Sequence, residues 1–174
     1  VKEEVINIYN KLKENNIDVI IDESDKTPGY KFAEAEVLGI PIRIEVGERD
    51  LKENKITFVR RDTSEKYIED KNIDIVSYTK NLLNNIQNNL YDKAKQRSQR
   101  LTYEAHTLKE VEDIMNTKPG FVKAMWCGNK DCELKMKEIR GTKSRCIVEN
   151  EKIDDKCIVC GKPAKDLVVW GIQY

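Results

Sequence analysis

The sequence predicts an α/β fold in two parts, a mixed-sheet domain over residues 1–103 and a small α/β domain over 104–174. Three observations carry this. Apolar residues at helical spacing alternate along the chain with short β-branched runs. Four of the five cysteines fall late in the chain as two close pairs, which sets the second part apart. A length of 174 residues suits one generous domain or two small ones.

Val1, Val5, Ile8 and Leu12 recur on one helical face, and Asn15 and Asn16 end that helix. The β-branched run Ile17 to Asp22 predicts a strand. Pro28 stands where a helix over about 29–37 would begin, with Gly39 and Pro41 to stop it. Two strands are expected at Ile40 to Val46 and Lys55 to Arg60, separated by a charged loop containing Gly47. A long helix from near Asn72 or Asp74 carries Leu82, Ile86 and Leu90 as its apolar stripe, with Lys93, Lys95, Arg97 and Arg100 in its later turns; it would bridge the two domains.

Thr107 and Glu110 have capping-box spacing, so a short helix should start there and end before Pro119. Beyond it the pattern predicts a strand over Phe121 to Trp126, a helix over Lys130 to Arg140, and strands over Ser144 to Val148 and Leu167 to Ile172. A domain that opens on a helix lacks an edge or central strand, so the chain reads as a piece of a longer one.

Composition narrows the functions. Charged residues make up 36% and hydrophobic residues 39%, enough apolar material for two cores. Lysine plus arginine balances aspartate plus glutamate at 31 each, so any nucleic-acid contact has to be local rather than driven by net charge. No apolar run approaches the roughly 18 residues that span a bilayer, and the acidic start does not resemble a secretory leader. No membrane is expected. Paired cysteines without a disulfide framework argue for a reducing compartment, most simply the cytoplasm.

The strongest chemical signal is Cys127-x4-Cys132 followed by Cys157-x2-Cys160. Four thiolates complete a tetrahedral zinc shell and leave no position open for water, so such a site is structural. Gly128 and Gly161, each next to a ligand, supply the freedom that tight ligand loops need. Cys146 sits in an expected strand and reads as a buried free thiol. His106, next to Thr107, reads as a polar residue at a helix entry.

The segment from Asp25-Lys26-Thr27-Pro28-Gly29-Tyr30 through Phe32, Glu36, Gly39-Ile40-Pro41-Ile42-Arg43 to Gly47-Glu48-Arg49-Asp50 continues in Val59-Arg60-Arg61-Asp62-Thr63 and Lys66. It resembles the anticodon-domain signature of prolyl-tRNA synthetases of the archaeal and eukaryotic type. Gly120-Phe121-Val122, Trp126-Cys127-Gly128, Lys156-Cys157-Ile158-Val159-Cys160-Gly161-Lys162-Pro163-Ala164 and the terminal Tyr174 resemble the zinc-containing extension of that family. Glu48 stands where proline is common in the family, and Ala35 where tryptophan is frequent.

The resemblance implies that Phe32, Glu36, Arg43, Arg49 and Lys66 contact anticodon bases. Physical chemistry suits them to it. Unpaired bases are read by stacking on aromatic or guanidinium planes and by hydrogen bonds to their exposed edges. Phe32 and Glu36 lie four apart on one helix. A carboxylate only accepts hydrogen bonds, and guanine offers adjacent N–H donors on its Watson–Crick edge. Arg43 suits guanine's acceptor edge or a phosphate, and Arg49 and Lys66 add positive donors. Proline anticodons carry two guanines. Taken without the resemblance, these residues read as a core aromatic, a surface ion pair and solvated charges.

The implied parent joins proline to tRNA using ATP and Mg2+, in the cytoplasm, as a homodimer formed through a catalytic domain. Its partners here are the proline tRNA anticodon loop and that catalytic domain, toward which the family's terminal tyrosine carboxylate reaches. The 174 residues themselves carry no phosphate-cradling loop and no nucleophile with a base, so they are expected to be non-catalytic. Two alternatives stand beside this: a free-standing non-catalytic zinc module that binds RNA or protein, and an inactive synthetase relative acting as an accessory subunit.

Overall fold

A computed structural model of the chain describes residues 1–173, so the expectation for Tyr174 lies outside the described residues. The chain divides into two compact units, Val1–Lys93 and Ala94–Tyr174. The division falls within one continuous helix. Among the described residues no helix is long and apolar enough to cross a membrane.

In the first unit, α1 (Lys2–Glu14) buries Ile8 and Leu12, as its periodicity predicts. Next comes α2 (Pro28–Val37), with Pro28 in its first turn and none of its residues buried. It leads into β1 (Ile42–Glu45), a short α3 (Glu48–Lys52), β2 (Lys55–Arg60) and β3 (Lys66–Asp70). The strands form an antiparallel sheet in the order β1-β2-β3. In β2 the four residues Ile56 to Val59 are all buried, so this strand is covered on both faces.

One face carries Ile44, Phe58 and Ile56 into a core with Ile8, Leu12, Ile75, Leu82 and Ile86. Phe58 and Tyr78 meet there with ring centroids 4.7 Å apart. The helix α4 (Ile75–Arg100) starts at Asp74, whose carboxylate accepts from the Ser77 N–H and hydroxyl.

Three expectations fail in this unit. Ile17 to Asp22 is not a strand. Ile17 and Val19 do pack on the core, but no neighbouring backbone pairs with the segment among the described residues. β propensity measures fit to a paired, half-buried surface, so without a partner the run stays extended and unladdered. The charged loop after Gly47 contains α3, and β3 was not foreseen because its alternation is carried largely by charged residues. Leu90 does not continue the α4 stripe; it is 48% exposed, because the core ends at Ile86.

The second unit holds a four-stranded sheet in the order β4-β5-β7-β6. These are β4 (Thr102–Glu104), β5 (Phe121–Trp126), β6 (Thr142–Val148) and β7 (Asp166–Ile172), with β4 parallel to β5 and the other pairs antiparallel. The three-residue β4 is too short to show a period in sequence. Two helices intervene. The start of α5 (Leu108–Thr117) is capped by Thr107 accepting from the Glu110 N–H, while Glu110 accepts from the His106 N–H. The other, α6 (Lys130–Glu138), starts at Asn129.

The second core gathers Val111, Met115, Val122, Met136, Val168 and Trp170. Cys146 is exposed rather than buried. β6 is an edge strand with a register shift between Ser144 and Cys146, and such a bulge turns side chains off the regular alternation.

Candidate anticodon interface and metal centre

The register of the first sheet places Arg43, Val59 and Lys66 in one row, and Glu45, Thr57 and Ile68 in the next row on the same face. On this side the Arg43 guanidinium stacks 4.1 Å from the centre of the Phe32 ring on α2. Its Nε donates to Glu45 Oε1 at 2.9 Å, and its Nη1 lies 3.6 Å from Glu36. Glu45 also faces Lys66, with Oε2 and Nζ 3.6 Å apart. The four residues Phe32, Glu36, Arg43 and Lys66 thus form one chain of contacts closed by Glu45.

Sequence reasoning passed over Glu45, although its two-residue offset from Arg43 on a strand was a usable signal. Arg49 stands apart: it is exposed on α3, and no hydrogen bond or ion pair ties its side chain to the others.

The geometry leaves one partner available. The Arg43 side chain is only 17% exposed, whereas that of Glu36 is 62% exposed and beyond hydrogen-bonding distance from Arg43. Glu36 therefore presents a carboxylate to solvent next to a flat guanidinium–aromatic stack.

In the second unit, the Sγ atoms of Cys127, Cys132, Cys157 and Cys160 all lie within 4.8 Å of one another and could hold a metal ion. Cys127 follows β5, and Gly128 turns the chain with φ +87°. Asn129 then caps α6 by accepting from Asp131, so Cys132 sits in its first turn. The second pair lies on a tight loop. Cys157 N–H donates to Lys162 O at 2.8 Å, and Gly161 N–H donates to Cys157 O at 2.9 Å. Gly161, at φ +70°, allows that reversal.

Two further bonds tie this loop to the sheet, Ile158 N–H to Met125 O and Lys165 N–H to Trp126 O. Burial raises the Cys127 thiol and pushes Cys132 up to about 12, whereas a backbone bond from Lys162 lowers Cys160 to about 7. Lys135 and Lys162 border the cluster, where their positive charge would offset that of thiolates holding a cation.

Comparison with known proteins places the chain in two families. Residues 1–89 match the anticodon binding domain family, and the chain belongs to it. Residues 108–174 match the family described as prolyl-tRNA synthetase, C-terminal. The chain is 47% identical over 157 residues to a proline--tRNA ligase of Clostridium novyi, covering 90% of this chain and 33% of that one. It is 44% identical over 177 residues to a proline--tRNA ligase of Clostridium botulinum (strain 657 / Type Ba4), covering 99% and 37%. It is also 44% identical over 178 residues to that of Ruminiclostridium cellulolyticum, again covering 99% and 37%. The chain spans about a third of the length of these relatives.

Proposed function

We propose that the chain reads the anticodon loop of proline tRNA on the α2–sheet face, and that the four cysteines hold a structural zinc ion in the second unit. The observation that carries the first part is the arrangement of Arg43, stacked on Phe32 and flanked by the exposed Glu36 carboxylate. A base entering there meets a planar stack and a hydrogen-bond acceptor together, which suits guanine. Lys66 and Arg49 contribute positive charge toward the loop backbone.

For the metal, the supporting observation is distance. Tetrahedral zinc with Zn–S of roughly 2.3 Å has sulfur–sulfur edges of about 3.8 Å. Cys127 lies 3.7 Å from both Cys132 and Cys160. All four ligands come from protein, so the ion's role is to tie the α6 start to the 157–160 loop.

The relatives carry the name proline--tRNA ligase, and for a whole protein of that kind we infer the charging of tRNA with proline, using ATP and Mg2+. We assign to that protein a cytoplasmic homodimer whose catalytic domain lies outside the present chain. The functional boundary between the RNA-reading and zinc domains is placed after Tyr103.

The test is binding of the chain to a proline anticodon stem-loop and to the same stem-loop with the anticodon guanines changed to adenine. Preference for the guanine form, lost in Arg43→Ala, is the expected result. Equal binding of both loops by the unaltered chain would remove the reading.

A further inference from the structure

We infer that Arg61 is a preformed phosphate-binding residue, which grips the RNA backbone next to the base that Glu36 faces. The inference rests on the proposed anticodon-reading face and adds a contact to it. Arg61 follows β2 directly and is exposed. Two bonds fix it. Its backbone N–H donates to Pro41 O at 3.0 Å. Its side-chain Nε donates to Glu36 O at 2.9 Å, reaching back 25 residues in sequence.

The remaining donors of this guanidinium have no partner among the described residues. Most other cations near this face differ: Arg43 is matched by Glu36 and Glu45, Lys66 by Glu45, Lys26 by Glu34 and Lys31 by Asp22, while Arg49, on α3, is not anchored by a side-chain bond among the described residues as Arg61 is. Arg61 meets only a neutral carbonyl, so its charge is uncompensated, and anchoring at Nε orients its plane. A planar fork with two free nitrogens matches a phosphate's paired oxygens, and little rotamer freedom remains to be lost on binding.

Position gives the contact its purpose. Glu36 has its carboxylate 3.6 Å from Arg43 and its carbonyl on Arg61. A nucleotide whose base lies against the carboxylate has its phosphate within reach of the second guanidinium. Phosphate contacts set register and carry no sequence information themselves. Arg61 would therefore supply affinity and salt dependence, and Glu36 and Arg43 the choice of base.

The bond to Glu36 O allows a plainer role, in which Arg61 only braces the end of α2. Two substitutions separate them. Arg61→Lys and Arg61→Gln both remove the Nε bond, but only glutamine removes the charge. Affinity of the 174-residue chain for the proline anticodon stem-loop is measured against salt for the unaltered chain, both variants and Arg43→Ala. A phosphate contact to a single strand contributes about 0.7 to the slope of log K against log salt.

The expected result is a slope lower by roughly 0.7 in Arg61→Gln, close to unaltered in Arg61→Lys, with the preference for guanine over adenine kept in both. Coincident slopes for the two variants would overturn the inference, as would loss of base preference in both with no change of slope. Those results leave the anticodon reading standing if Arg43→Ala still relaxes base preference. Conversely, an unaltered chain with no base preference, but with slopes that differ between the two variants, removes the anticodon reading and keeps the phosphate contact.

Discussion

Asp62 accepts two parallel hydrogen bonds from Arg60, Nε to Oδ1 at 2.9 Å and Nη2 to Oδ2 at 2.7 Å, and its side chain is 1% exposed. Asn89 of α4 donates to the same carboxylate at 2.5 Å. The pair thus fastens the end of β2 to the long helix, just before the residue that grips α2.

This bracket makes the first unit acid-sensitive. The hydrogen bonds from Arg60 hold Asp62 at about 2, below its ordinary 3.8. A depressed carboxyl contributes stability above its unfolded pKa and loses it as pH falls through the folded value. The contribution, about 2 kcal/mol, should therefore be complete above about pH 5 and be lost progressively as pH falls to about 2 and below. Circular dichroism melts across this range should show the loss, and Asp62→Asn should flatten it. At neutral pH, Asp62→Ala strands a half-buried guanidinium and should cost about 3 kcal/mol.

Removing the metal should loosen the second unit. Trp126 and Trp170 stand edge to face with ring centroids 6.5 Å apart, and Trp126 directly precedes Cys127 of the thiol cluster. We expect one zinc per chain by elemental analysis, none in Cys157→Ser, and an unchanged content in Cys146→Ser. Both tryptophans lie in this unit, so their fluorescence should shift to the red on chelation, as the fold loses a bond worth roughly 10 kcal/mol or more in small zinc peptides. A chain with all thiols reduced, no metal and an unshifted spectrum counts against the site.

Glu36→Gln tests the base edge without changing shape. The amide replaces one acceptor with a donor, so guanine loses a partner. Preference for guanine over adenine in the stem-loop should fall by about tenfold, equal to roughly 1.4 kcal/mol, within the range for a base-edge contact. The melting temperature should stay constant, because this side chain is largely exposed.

Gly120→Ala should unfold the second unit at moderate temperature. Gly120 has φ +121°, which side chains rarely adopt, and an added Cβ would strike the Leu101 carbonyl. That carbonyl also accepts the Phe121 N–H at 2.8 Å, so it cannot withdraw without breaking the start of β5. A loss of about 3 kcal/mol or more in tryptophan-detected urea unfolding is expected.

Elements whose own residues define a periodicity or a cap were legible in advance. Ile8 and Leu12 marked α1, Pro28 marked α2, and Thr107 with Glu110 marked the start of α5. Elements that exist only through a partner were not. Thr102 to Glu104 is a strand because Phe121 to Lys123 pairs with it, and Ile17 to Asp22 is no strand because no strand pairs with it among the described residues. Cys146, a free thiol in an expected strand, reads as buried, whereas a bulge on an edge strand turns it outward.

The candidate sites divide in the same way. The cysteine spacing by itself pointed to two thiol pairs able to hold a metal, because two short loops bring each pair together wherever the loops lie; only the sheet brought the pairs within 4.8 Å of each other. The anticodon residues were named from local motif resemblance, and Phe32 and Glu36 share a face by helical spacing alone. That Arg43 should stack on Phe32, that Glu45 should join it to Lys66, and that Arg61 should reach Glu36 were decided by tertiary structure. Such contacts depend on strand register and on how a helix lies against a sheet, and those are set by packing across distant segments rather than by any one of them.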